Sequence, residues 1–372
     1  MRKFIIALMV VISLGSCAFG ASEFDEVWLV TADTTAKGAA GQVFAQLIQQ
    51  KVKEANCGLV IDYFPNGELG GDADLLRQAQ KGYIAITVCQ TAPIVSFIPE
   101  MAVFDLPMVF ARYDGDTIDK VLNGDSEFHR KMSAAYEKAG LHLLGFMQNA
   151  TYRLATANKD LETLTDFSGL QIRTMENKNH MDFWTAIGAE PTPLAWGELY
   201  FSLQSGTVNA QENAADTCVG AHFEEVQKFL ACTNHILYCN QICINDKIYK
   251  ALKPEHKAVL DKAVAEALQE MRPKLEEIDK SNKEILVKGG MKLIEYENSF
   301  FSDVLAVQGV KDLYKRIDTA TNGLASTLEK SLEEVAEASK PKPATAINDA
   351  QKNTAPSAET LAPVPASAEP AE

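Results

Sequence analysis

Two arginines twenty residues apart, Arg153 and Arg173, carry the most legible chemistry in this chain. A guanidinium offers parallel N–H donors that match a carboxylate bidentately, and it stays charged at any relevant pH. Near them in sequence stand Asn177, a Pro191-Thr192-Pro193 turn leading to Trp196, and the polar triplet Gln211-Glu212-Asn213. Fixed cations, amides and one aromatic wall suit a dry cleft that holds a small organic anion. Arg173 ends an apolar run, Leu170 to Arg173, so it reads as the anchor. Arg153 either assists it or braces Asn213 or a domain contact. Asn213 and Asn177 can donate and accept, which suits carboxylate and hydroxyl oxygens, but either could cap a turn or helix. Trp196 either walls the cleft, excluding water and strengthening the ion pair, or packs in the core. Glu212 reads as structural, because a bare acid facing an anion repels it.

These residues need a frame. Val27 to Val30 predicts a first strand, Ala36 to Glu54 an amphipathic helix, and Leu59 to Phe64 a second strand. Pro65-Asn66-Gly67 breaks that strand, a helix runs from Asp72 to Lys81, Gly82 stops it, and Ile84 to Val88 predicts a third strand. This β-α-β-α-β order implies a parallel sheet with helices on both faces. Ligand groups in such sheets sit in loops at the carboxyl ends of the strands. Thr31, Asn66 and Gln90 are therefore the contacts expected from the first unit. A second α/β unit follows from Tyr152, and His222 to Phe229 predicts a helix within it. His235 to Ile244 alternates as a strand long enough to run between the two. From Pro254 the chain is helical for a long way, with Pro273 expected to bend it. More helix is expected from Val304 to Glu337, broken at Gly309 and Gly323.

A chain of 372 residues favours two domains over one core. The formal net charge is −15, which argues against wholesale binding of nucleic acid or anionic membrane. Met1-Arg2-Lys3 followed by apolar Phe4 to Leu14 reads as an export signal ending near residue 20. Leu14-Gly15-Ser16-Cys17 resembles a lipobox, which would lipidate Cys17, and Ala18-Phe19-Gly20 offers ordinary cleavage instead. Either way the mature protein is expected in the periplasm. Lys340 to Glu372 is rich in Pro, Ala, Glu and Ser, and reads as a disordered tail. Six cysteines follow Cys17: Cys57, Cys89, Cys218, Cys232, Cys239 and Cys243. Disulfides and buried free thiols both stand as readings, and Cys232, His235, Cys239 and Cys243 have spacing at which zinc can also bind. There is no Gly-x-Ser-x-Gly elbow, His-Glu-x-x-His, Gly-rich phosphate loop or Cys-x-x-Cys. An exported hydrolase or lyase, or a ligand-sensing module, stays open as an alternative to a binding protein.

Six motifs in order resemble one family. They are Phe64-Pro65-Asn66-Gly67-Glu68-Leu69-Gly70-Gly71, Val103-Phe104-Asp105-Leu106-Pro107, Gly169-Leu170-Gln171-Ile172-Arg173, Ile187-Gly188-Ala189-Glu190-Pro191-Thr192-Pro193, Glu198-Leu199-Tyr200 and Gln211-Glu212-Asn213. Over Val27 to Leu332 the chain resembles the DctP-type solute-binding proteins of tripartite ATP-independent periplasmic (TRAP) transporters. The resemblance implies an α/β, two-domain periplasmic binding protein fold with hinge strands and a long domain-spanning helix. It implies one domain over 24–148 plus about 238–280, and another over about 149–237 plus 281–338. It implies closure on a small organic acid, with no metal or other cofactor, and handover to the membrane permease subunits. Arg173 matches the family's carboxylate-binding arginine, Arg153 a second arginine that often helps, and Asn213 and Asn177 ligand-contacting asparagines. Trp196 stands where a phenylalanine usually lies. Asn209-Ala210 and Ala214 depart from the family's pattern, which leaves the ligand's identity open.

Overall fold

A computed structural model describes residues 26–339 except Ala36 and Asn149. The export signal, Cys17 and the tail from Lys340 lie outside the described residues. The apolar runs form the first strands as their patterning dictates. β1 (Val27–Asp33) pairs in parallel with β2 (Leu59–Phe64) and with β3 (Ile86–Gln90). Helices Ala40–Ala55 and Asp72–Lys81 make the two crossovers, and Gly82, with φ of +78°, ends the second one in the left-handed conformation that glycine adopts freely. Ser126 caps helix Glu127–Lys138, its hydroxyl accepting from His129 N at 2.9 Å, and β4 (Leu141–Met147) follows.

The chain then leaves this sheet. β5 (Leu154–Ala157), β6 (Gln171–Thr174), β7 (Glu190–Pro193), β8 (Ala210–Asn213) and β9 (Phe229–Ala231) belong to a second one. β10 (Asn240–Asn245) returns to the first sheet, between β3 and β4 and antiparallel to both. β11 (Lys292–Ile294) ends the second sheet beside β9. The orders are β2-β1-β3-β10-β4 and β11-β9-β5-β8-β6-β7. Both sheets are thus mixed, not purely parallel, because β10 in the first and β5 in the second run antiparallel to both of their neighbours.

Two connectors between the sheets are tied to each other. Tyr152 and Leu237 form an antiparallel bridge, with Arg153 N donating to Ile236 O and Tyr238 N to Thr151 O, both at 2.8 Å. The crossing segment is therefore a paired connector followed by a six-residue strand, shorter than the strand expected from His235. The third connection is the 35-residue helix Pro254–Lys288, continuous through Pro273 and about 50 Å long at 1.5 Å per residue. It packs on helix Ala40–Ala55 from the first lobe and helix Ala215–Gly220 from the second, burying Leu260, Ala263, Ala267, Met271 and Leu275.

Two expectations need correction. His222 to Phe229 is not a helix: a 3-10 turn spans Phe223–Glu225, and β9 begins at Phe229, where pairing with β5 and β11 overrides the local pattern. The C-terminal helical region is three helices, Asn298–Ala306, Gln308–Ala320 and Leu324–Ser339. Gly323 does mark a break, at φ of +79°, but Gly309 lies inside a helix, where an added Cβ would sit 2.8 Å from Ala186 Cβ. The glycine there serves close helix packing. Because Met271 is fully buried where the long helix meets the first lobe, Met271→Ala should lower stability by about 2–5 kcal/mol in urea denaturation.

Candidate functional site

A cavity of about 580 Å³ opens between the lobes, within the range of small-molecule sites. The first lobe supplies Thr34, Thr35 and Asn66 from the loops after β1 and β2, Asp72 from the start of helix Asp72–Lys81 and Gln90 from the end of β3; the second lobe supplies Arg173, Glu176, Trp196 and Asn213; Tyr238 comes from a connector. Five of the eight expected contacts line it: Arg173, Asn213, Trp196, Gln90 and Asn66.

Arg173 sits in β6, beside Thr192 of β7 and Gln211 of β8, and is only 3% exposed. Its Nε and Nη2 donate to the Leu194 carbonyl at 2.9 and 2.6 Å. Among the described residues no carboxylate lies within ion-pair distance of it. Burial lowers its pKa to about 10, with Arg153 adding to the effect and Glu212 opposing it, so the guanidinium is still charged at neutral pH.

Of the two readings of Arg153, assisting Arg173 or bracing Asn213 or a domain contact, its placement fits the second. It lies behind the cavity wall, 2% exposed, with its donors engaged by protein. Nε donates to Glu212 Oε2 at 2.5 Å, and Nη2 to Glu212 Oε1 and O, both at 2.9 Å, and to Asn213 Oδ1 at 3.1 Å. Nη1 donates to Gln90 Oε1. Since a guanidinium only donates, it fixes the orientation of both amides. Gln90 must turn its oxygen away, leaving its NH2 for the cavity. Asn213 spends its oxygen on Arg153 and one N–H on Gln211 Oε1, at 2.9 Å, leaving a second N–H. The base of the cavity is thus a set of donors.

Asn177 and Thr31 also lie off the cavity. Asn177 caps helix Lys178–Ala186 by accepting from Asn179 N and His180 N, and its Nδ2 donates to Ala92 O and Asp105 Oδ2. Capping and a cross-lobe tie occupy it fully. Thr31 faces inward and donates to Leu29 O, because β1 extends three residues past Val30 and moves the cavity-lining loop to Thr34 and Thr35. Trp196 opens helix Trp196–Gln204, is 39% exposed, and meets Phe223 edge-on at 6.0 Å, so it is a wall and not core.

Several residues were not anticipated as site components. Asp72, read as a helix start, lines the cavity and accepts from Thr34 Oγ1; burial raises its carboxyl above the usual value, with the Thr34 bond and Arg173 opposing. Asp33 holds the loop geometry: its Oδ1 accepts from Asn66 N at 2.8 Å and Thr35 N at 3.2 Å, and Tyr63 donates to its Oδ2. Behind Arg153, Glu212 is fully buried, 3.1 Å from His235 Nε2 and 3.7 Å from His180 Nδ1. His180 Nε2 lies 3.0 Å from Asp105. Burial disfavours the charged Glu212, but Arg153 and the two histidines outweigh it and hold its pKa well below the carboxylate range. Among the described residues no His/Cys/Asp/Glu group could hold a metal ion, and all six described cysteines are free thiols, five of them buried.

His180 supplies a pH test. Burial opposes its charged form, but Asp105 and Glu212 raise its pKa from 6.5 to about 9. A raised pKa means this stabilisation is complete below pH 6.5 and is lost as pH rises through about 9. His180→Gln should therefore flatten the decline in Tm across that window, measured by thermal unfolding against pH.

Comparison with known proteins places this geometry. The family model for bacterial extracellular solute-binding proteins, family 7 (DctP), matches residues 27–337. The 2,3-diketo-L-gulonate-binding periplasmic protein YiaO of Escherichia coli K12 is 26% identical over 285 residues, spanning 76% of this chain and 84% of that one. The sialic acid-binding periplasmic protein SiaP of Vibrio cholerae is 29% identical over 222 residues, 59% of this chain and 68% of that one. A TRAP periplasmic solute-binding protein of Polaromonas sp. JS666, solved bound to D-erythronate, superposes with a TM-score of 0.73 at 26% identity, covering 82% of this chain and 98% of that one. Such proteins bind small organic acids and work with membrane permease subunits, and members of the family are periplasmic. With the two linked α/β lobes, the long helix and the cleft between them, the chain belongs to the DctP family and is a solute-binding protein of the TRAP transporter type.

Proposed function

We propose that the cleft binds a small organic acid by seating its carboxylate on Arg173, with Gln90 and Asn213 adding N–H donors. Trp196 walls one side, and Asn66 and Thr34 face the ligand from the opposite lobe. Arg153 does not touch the ligand; it orients the two amides. The lobes, 24–148 with about 238–280 and about 149–237 with 281–338, close around the acid about the paired connectors and deliver it to the permease. The export signal read in residues 1–20 fits a receptor that works outside the cytoplasm.

The single observation that carries this reading is Arg173: a cation buried to 3% exposure, held in place by a carbonyl and facing the cavity with, among the described residues, no carboxylate within ion-pair distance. A charge kept out of water calls for an anionic partner. The ligands of three similar proteins, 2,3-diketo-L-gulonate, sialic acid and D-erythronate, all carry a carboxylate. Arg173→Ala should abolish stabilisation by organic acids in a thermal-shift screen. Arg173→Lys should weaken binding about 30-fold or more in calorimetry, since a lysine lacks the fork that matches two oxygens. Binding of the lysine variant at wild-type affinity would remove the bidentate carboxylate from the account.

A further inference from the structure

The cavity carries more negative charge than its anchor can compensate. Against the one guanidinium of Arg173 stand three lining acids, Asp72, Asp74 and Glu176. Asp74 is exposed and paired with Arg77 at 2.8 Å, which compensates its charge. Asp72 differs. Its Oδ1 accepts from Thr34, and among the described residues no cation lies within ion-pair distance of it. Arg173 and Asp72 come from opposite lobes, feel each other's charge, and do not form an ion pair. Both line the same cavity, so a ligand seated on Arg173 has Asp72 on the opposite lobe within the same space. Asp33, behind Asp72, is engaged by Tyr63, Thr35 and Asn66 and adds no cation there.

We infer that the cleft selects acids with one carboxylate whose opposite end donates hydrogen bonds or carries positive charge, and that Asp72 discriminates against dicarboxylates. The inference rests on the Arg173 reading and refines it. A donor at the far end completes the lone pairs of Asp72. A second carboxylate there meets a like charge in a water-poor site, which costs affinity. Hydroxyl-bearing sugar acids and zwitterions share the required chemistry.

Calorimetry with four probes on wild type and Asp72→Asn tests this. The probes are succinate, its near-isostere succinamate, D-gluconate and ectoine. Wild type should favour at least one of the last three over succinate by about tenfold or more. Asp72→Asn should shift that ratio toward succinate by about tenfold or more, with succinate gaining outright. Preference for gluconate assigns hydroxyl donors, and preference for ectoine a cationic end. Asp72→Ser removes the same charge while keeping a good first-turn residue, and should shift the ratio in the same direction. Tight succinate binding by wild type, or an unchanged ratio in both variants, overturns the inference and leaves Arg173 as anchor. No response to any probe, together with Arg173→Ala indistinguishable from wild type against a broader acid panel, overturns the anchor and the inference together.

Discussion

The ion pair between Arg153 and Glu212 governs how charge is distributed in the middle of this protein. Two guanidiniums, Arg153 and Arg173, lie close enough to depress Arg173, and one buried carboxylate sits between them and the histidines. Glu212 commits its oxygens to Arg153, with His235 and His180 completing its shell. A buried pair of this kind holds together only because its remaining polar atoms are satisfied. With Arg153 committed to Glu212 and His180 facing Asp105, Arg173 is the member of this cluster that faces the cavity, and among the described residues no carboxylate lies within ion-pair distance of it. An incoming carboxylate supplies the partner that Arg173 lacks.

The topology explains why Arg173 faces a cleft. The chain passes between the two sheets on two paired connectors and one long helix, so each lobe contributes strand-end loops to the same gap. Arg153 joins the sides by holding Gln90 at the end of β3 while bonded to Glu212 in β8. Asp216 of the second lobe accepts from Ala40 N, at the start of the first lobe's helix, at 2.9 Å. These ties lie near the connectors, where closure of the lobes would move them least.

Much of this was legible because it rests on local chemistry. β2 follows from an apolar run ended by Pro65, helix Asp72–Lys81 is stopped by Gly82, and Arg173 is recognisable as a cation ending a buried strand. What was not legible depended on distant partners. Asn177 reads as a ligand contact or a cap with equal ease, and only the positions of Asp105 and Ala92 decide for the cap. Arg153 looks like Arg173 until Glu212 is seen folded against it, although the reading of Glu212 as structural already pointed that way. β9 lost to a helical pattern because its stability comes from β5 and β11, far away in sequence. Asp72 escaped notice because a first-turn acid is so ordinary in a helix that it carries no functional signal.

A crystal structure of the protein with a bound acid, chosen from whatever native mass spectrometry finds retained after purification, tests the central claim most directly. The account predicts both carboxylate oxygens on Arg173, the Gln90 amide nitrogen turned toward the ligand, and the Arg153–Glu212 pair intact. A carboxylate seated on Arg153, with Glu212 displaced, would contradict it.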